Sequence, residues 1–140
     1  MDRDKILEFA KSLNLPLGNY VVVGGGSLAV RNMRTTNDLD IVVIDPLFKE
    51  LQQNGWPRDY DYEKRWNRQR LKKDGVEFHR DFLLTKENRF VDVADVISQA
   101  DIIDGIPFQN LESLLMFKKD AEREKDAADV ALIETYLKDL

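Results

Sequence analysis

The first apolar rhythm along the chain is helical. Ile6, Leu7, Phe9, Ala10 and Leu13 fall on or near one face, which predicts a short amphipathic helix over residues 4–13, ended by Pro16 and Gly18. At Tyr20 the rhythm changes. Tyr20 to Val23 is a β-branched run that stops at Gly24-Gly25-Gly26, the pattern of a buried strand entering a tight turn. A short helix is expected over residues 27–33, and a second buried strand over residues 39–44, closed by Asp45-Pro46. Residues 48–54 have a helical pattern broken by Gly55 and Pro57.

The second half is less regular. Residues 58–74 are rich in charge and aromatics and read as irregular or partly helical. Alternation over residues 76–84 predicts a strand, and a turn at Lys86-Glu87-Asn88 would pair it with residues 90–96 as a hairpin. Gly105-Ile106-Pro107 reads as a loop, and from Asn110 onward the pattern is one or two helices. Interleaved strands and helices, then a hairpin, then helices predict an α+β (α/β-like) fold with a mixed sheet. No repeat, low-complexity tract or linker divides the 140 residues, so a single domain, 1–140, is expected.

Composition narrows the function classes. The formal net charge is −5, which argues against an open, charge-driven nucleic-acid surface while leaving room for a local basic pocket. There is no cysteine, so disulfides and thiolate metal sites are excluded. Met1-Asp2-Arg3-Asp4-Lys5 carries charge in place of an apolar signal segment, and runs such as Val21-Val22-Val23 are far too short to span a bilayer. A cytoplasmic protein with no membrane partner is the expectation. His79 is the only histidine, so neither a Ser-His triad nor a multi-histidine zinc site can be built convincingly; a plain strand residue is expected there.

Chemistry concentrates between residues 21 and 43. On a strand opening at Asp38-Leu39-Asp40, alternation puts Asp38 and Asp40 on one face. Paired carboxylates repel unless a divalent cation is shared, and hard oxygen donors with open positions suit Mg²⁺. Ahead of them, the Gly24-Gly25-Gly26-Ser27 turn leaves backbone N–H groups free at a helix start, a cradle for phosphate oxygens. Each signal alone is weak, since glycines often only tighten a connection and Asp-x-Asp often sits in a solvated turn. Together, at the mouth of an apolar strand, they favour a site.

The combination resembles the signature of the DNA polymerase β-type nucleotidyltransferase superfamily: an apolar strand, Gly26-Ser27, a gap from Leu28 to Asn37, then Asp38-Leu39-Asp40 in apolar surroundings. Arg34-Thr35-Thr36-Asn37-Asp38-Leu39-Asp40 is similar to a form seen in a subset containing AbiE-type abortive-infection toxins and lincosamide-type antibiotic nucleotidyltransferases. Leu114-Leu115-x-x-Lys118 and the run Arg123 to Asp129 look like that subset's closing helices. The resemblance implies a nucleotidyltransferase fold, with two Mg²⁺ ions as cofactor and a nucleoside triphosphate as substrate. Its third carboxylate stands on a neighbouring strand. Asp92, flanked by Val91 and Val93, matches the apolar-acid-apolar form, with Asp81 and Asp95 as alternatives.

Under this reading Asp38, Asp40 and Asp92 would hold the metals, and Gly25, Gly26 and Ser27 the phosphates. Arg34 would either neutralise the triphosphate or pair with Asp38. On a continuous last helix, Leu111, Leu115, Lys118, Glu122, Lys125 and Asp129 share a face, making Lys118 the first candidate for a phosphate contact and Lys125 the second. A helix break near Arg123-Glu124 would void that face. Asp126 and Asp129 are expected to cap or salt-bridge the last helix, and Trp56, Tyr60, Tyr62 and Trp66 either pack or stack a ring. The acceptor implied is a hydroxyl on a small molecule, a tRNA or a protein, with a homodimer plausible. Two rival readings are a toxin–antitoxin component and a non-catalytic nucleotide-binding protein.

Overall fold

A computed structural model describes residues 1–140 and shows a mixed α+β domain of seven α-helices and eight strands. Helix α1 (Arg3–Ser12) starts where the Asp2 carboxylate accepts from the Lys5 N–H, and it buries Ile6, Leu7 and Ala10. Strand β1 (Tyr20–Val23) turns through Gly24 into α2 (Gly25–Ala29). Then follow β2 (Leu39–Val43), α3 (Asp45–Gln53), α4 (Tyr60–Trp66), β3 (Arg70–Lys73) and β4 (Val76–His79). A small ribbon, β5 (Leu83–Leu84) and β6 (Arg89–Phe90), leads to α5 (Val93–Ser98), β7 (Asp101–Ile103) and β8 (Ile106–Phe108). Helix α6 (Leu111–Ala121), a 3-10 turn at Glu124–Asp126 and α7 (Ala127–Lys138) complete the chain. No helix is long and apolar enough to cross a membrane.

Six strands form one mixed sheet in the order β3-β4-β2-β1-β8-β7. β1 runs antiparallel to β2 and parallel to β8, while β2 runs parallel to β4. Register then dictates the faces. Val22, Ile41, Val43 and Phe78 point to one side, where they meet Ile6 of α1 and Leu47 and Phe48 of α3 in the main core. Val21, Val23 and Val42 point to the other, against Phe82 and Val96. Across that second face the pairing Val23–Asp40–Glu77–Lys72 crosses β1, β2, β4 and β3, and Val21–Val42–His79–Arg70 runs beside it. This face is therefore apolar over β1 and charged over β4 and β3. Leu28 of α2, Leu111 and Leu114 of α6 and Ile133 of α7 make a third, smaller core.

Several sequence expectations are corrected. Residues 76–84 and 90–96 do not form one hairpin: β4 ends at His79, only Leu83–Leu84 pairs with Arg89–Phe90, and residues 93–98 are helical. The reason is Asp92, whose carboxylate accepts from the Ala94 N–H at 2.9 Å and so starts a helix. The segment 58–74 is not irregular but supplies α4 and the edge strand β3. Residues 105–107 belong to a hairpin, with Asp104 and Gly105 both at positive φ between β7 and β8. Helix α2 starts within the glycine run, ahead of Ser27. The last helix is not continuous: Glu122, at φ 48°, ends α6, and α7 starts at Ala127, so the single-face stripe does not exist.

Gly26 shows how closely α2 sits on β1. A Cβ at this position would stand 2.7 Å from Val22 Cγ1. Both residues are buried, and neither has room to give. Gly26→Ala should therefore lower the unfolding free energy by roughly 1–3 kcal/mol. Urea denaturation checks this, with an unchanged slope expected.

Candidate functional site

The charged end of the second sheet face is where the chemistry collects. Asp38 stands exposed just before β2, and Asp40 follows it on the strand. Parallel pairing sets Glu77 directly beside Asp40, and His79 projects on the same face of β4. Ligand atoms of Asp40, Glu77 and His79 all lie within 4.8 Å of one another. His79 Nε2 is 3.6 Å from Asp40 Oδ1 and 3.9 Å from Glu77 Oε2, longer than hydrogen bonds. Arg70 Nη1 is 3.2 Å and Lys72 Nζ 3.5 Å from Glu77 Oε1. Asp40 Oδ1 is buried and has no hydrogen-bond partner. A carboxylate oxygen in that state costs stability unless something else satisfies it.

Electrostatics separate the two acids. Burial alone would raise the Asp40 carboxyl, but His79, Glu77 and Arg70 outweigh it and hold it at about 2. Glu77 goes the other way: burial and the adjacent Asp40 charge push it up to about 8, with Arg70 opposing. At neutral pH Asp40 is therefore ionised while Glu77 keeps its proton.

Facing the acids is the glycine corner. Gly24 adopts φ 63°, ψ −134°, and a Cβ there would point at Asp40 Oδ2, 3.7 Å away. Gly25 leaves no space for a Cβ, which would strike the Thr36 hydroxyl. Both line a polar pocket of about 740 Å³ together with Asp38, Asp40, Glu77 and His79, and with Arg34, Lys118, Arg123 and Lys125 on the far side. Gly26 and Ser27, expected to touch phosphate, do not reach this pocket. Ser27 is fully buried, and its hydroxyl donates to the Val22 carbonyl at 3.1 Å. Their role is the packing of α2 on β1.

Of the four cations on that side, Arg34, Lys118 and Arg123 are already engaged. Arg34 donates to Asp129 through Nε at 2.7 Å and Nη2 at 2.9 Å, and not to Asp38. That bidentate bond, against the opposing effect of burial, raises the Arg34 guanidinium further. Lys118 Nζ is 3.1 Å from Asp126 and 3.0 Å from Asp129. Burial would raise both of these aspartates, but Arg34, Arg123 and Lys118 hold them below the usual carboxylate range. Asp126 and Asp129 thus make the salt bridges expected of them. Lys118 reaches the pocket across the α6–α7 break and not along one helical stripe.

None of the three acids proposed for the neighbouring strand is beside Asp40. Asp92 caps α5, Asp81 accepts from Arg68 Nε at 2.9 Å and Nη2 at 2.6 Å, and Asp95 lies in the first turn of α5. The acid that does stand there is Glu77. Its signal was in the sequence, since Val76-Glu77-Phe78 has the same apolar-acid-apolar form that favoured Asp92. His79 was legible as the next residue on that face. Of the aromatics, Tyr62 lines the pocket and Trp56 packs edge-on against Phe78 at 4.7 Å, whereas Tyr60 and Trp66 are exposed. Compared with protein-family models, with curated proteins and with solved structures, the chain matches none.

The Glu77 shift has a thermodynamic sign. In the unfolded chain Glu77 loses its proton near 4.5, while the folded protein keeps it until about 8. Without metal, rising pH through that window therefore favours the unfolded state, and the loss levels off above it. Asp40 acts at the other end, its contribution being lost only as pH falls from 3.8 towards about 2. Glu77→Gln should flatten the metal-free stability profile between these higher limits and gain on the order of a few kcal/mol over wild type near pH 8. Denaturant titrations at a series of pH values check it; parallel profiles for both proteins would refute it.

Proposed function

We propose that this chain is a magnesium-dependent nucleotidyltransferase of the DNA polymerase β-type fold. It would transfer a nucleoside monophosphate from a triphosphate to a hydroxyl and release pyrophosphate. One observation carries the reading: Asp40 stands beside Glu77 with Oδ1 buried and without a hydrogen-bond partner, while its Oδ2 faces Gly24. An unsatisfied acid oxygen there fits a divalent cation as its partner, and the open space at Gly24 leaves room for a phosphate oxygen.

Asp38, Asp40 and Glu77 are the residues that would hold the two ions. Bound there, Mg²⁺ supplies charge to the attacking and leaving oxygens of an in-line displacement. Glu77 takes the part the resemblance assigned to Asp92: cation binding would displace the proton it otherwise keeps, and the resulting carboxylate accepts the proton of the hydroxyl as that oxygen bonds to the α-phosphorus. The bond from that phosphorus to the bridging oxygen breaks, and pyrophosphate leaves. Gly25 would lend its backbone N–H to a phosphate oxygen, while the Gly24 N–H is donated to Gln109 Oε1 at 3.3 Å and fixes the corner. Arg34, Lys118 and Lys125 counter the triphosphate charge, the first two by giving up Asp129.

A second reading is favoured by those same ion pairs. If Arg34 and Lys118 stay with Asp126 and Asp129, the pocket binds nucleotide weakly and transfers nothing. Incubation with labelled ATP, CTP, GTP or UTP and Mg²⁺, against RNA, protein and small-molecule acceptors, separates the readings. Wild type should label one acceptor class, and Asp40→Ala should lower the rate by roughly a hundredfold or more. Equal labelling by both proteins would remove the site, and nucleotide binding without any labelling would select the second reading.

A further inference from the structure

The metal-facing set includes a donor that an all-oxygen magnesium site does not need. His79 shares the β4 face with Glu77, its side chain is 15% exposed, and it is held edge-on to Tyr62 with ring centroids 6.0 Å apart. Tyr62 is itself covered by the Arg70 guanidinium, 4.0 Å from its ring centroid. The imidazole is therefore fixed in place, with Nε2 turned toward both acids. At 3.6 Å and 3.9 Å from their oxygens it bonds to neither. Such spacings are those of donors sharing one ion, since bonds of about 2.1 Å put neighbouring ligand atoms roughly 3–4 Å apart. The unpartnered Asp40 Oδ1 is the nearer of the two oxygens.

We propose that His79 is an inner-sphere nitrogen ligand, and that it makes one cation position select a Mn²⁺-type ion over Mg²⁺. The inference rests on the reading that Asp40 and Glu77 hold a divalent cation, but not on what is transferred. Imidazole is a borderline donor that favours first-row transition ions, whereas magnesium takes oxygen and keeps its waters. A position bounded by two carboxylates and one nitrogen is thus biased by its donors. Asp38, exposed at the rim, offers oxygen alone and suits the second, magnesium-type position.

The test uses the full chain and Mn²⁺ itself, without nucleotide. Continuous-wave EPR follows the loss of the free-ion signal, and pulsed EPR on the bound ion looks for ¹⁴N modulation. Wild type should show that modulation and bind Mn²⁺ roughly tenfold or more tightly than Mg²⁺ in competition. His79→Gln should abolish the modulation and weaken Mn²⁺ by roughly tenfold, while changing the Mg²⁺ constant by less than about threefold. Glu77→Gln should weaken both ions. Bound Mn²⁺ without ¹⁴N modulation in wild type would overturn the assignment and leave the carboxylate site standing; this needs no variant, so misfolding of His79→Gln would not shield the proposal. Absence of any tight Mn²⁺ binding would remove the inference together with the cation site beneath it.

Discussion

The parallel pairing of β2 with β4 is the constraint on which the site depends. Leu39 and Ile41 pair with Val76 and Phe78, and all four are buried. Those side chains can sit in the core in only one register, because a slip of one residue would turn them to the opposite face. Asp40 and Glu77 occupy the intervening positions, so the packing of one face forces two acids together on the other. Hydrophobic burial pays for an arrangement that electrostatics alone would reject.

Charge is balanced locally and not across the surface. The protein is acidic overall, yet its polar pocket gathers Arg34, Arg70, Lys118, Arg123 and Lys125 against Asp38, Asp40, Glu77, Asp126 and Asp129. The pairing is uneven within it. Asp126 and Asp129 are fully engaged by cations on the helix side, whereas the only basic side chain within 4 Å of Asp40 is His79, at 3.6 Å, and Arg70 acts on it from farther away. Uncompensated negative charge is thus confined to the strand side, where a small cation has the most to gain.

How much of this was legible varies with the physics of each segment. The glycine corner and Asp38-Leu39-Asp40 were readable because both signals are local. The third acid was not, because two segments, 76–78 and 91–93, carry the same apolar-acid-apolar pattern. What separates them is tertiary: Val76 and Phe78 find a core, while the Asp92 carboxylate finds the Ala94 N–H and starts a helix. The missed strands were written in turn chemistry. Asp74-Gly75 and Asp104-Gly105 have positive φ at both residues, the requirement of a two-residue hairpin, and they join β3 to β4 and β7 to β8. Ser27 misled because a hydroxyl beside glycines reads as an anion ligand, although here it satisfies a backbone carbonyl inside the core.

The break between α6 and α7 gives Asp129 two masters. It holds Arg34, from the segment ahead of β2, and Lys118, from α6, so one carboxylate clasps three parts of the chain. Any anion that draws either cation toward the glycine corner must loosen that clasp. Whatever tightens the seating of the C-terminal helix resists the anion by the same amount, since such an exchange is reciprocal. Filling the pocket and anchoring the end of the chain are thus two sides of one competition.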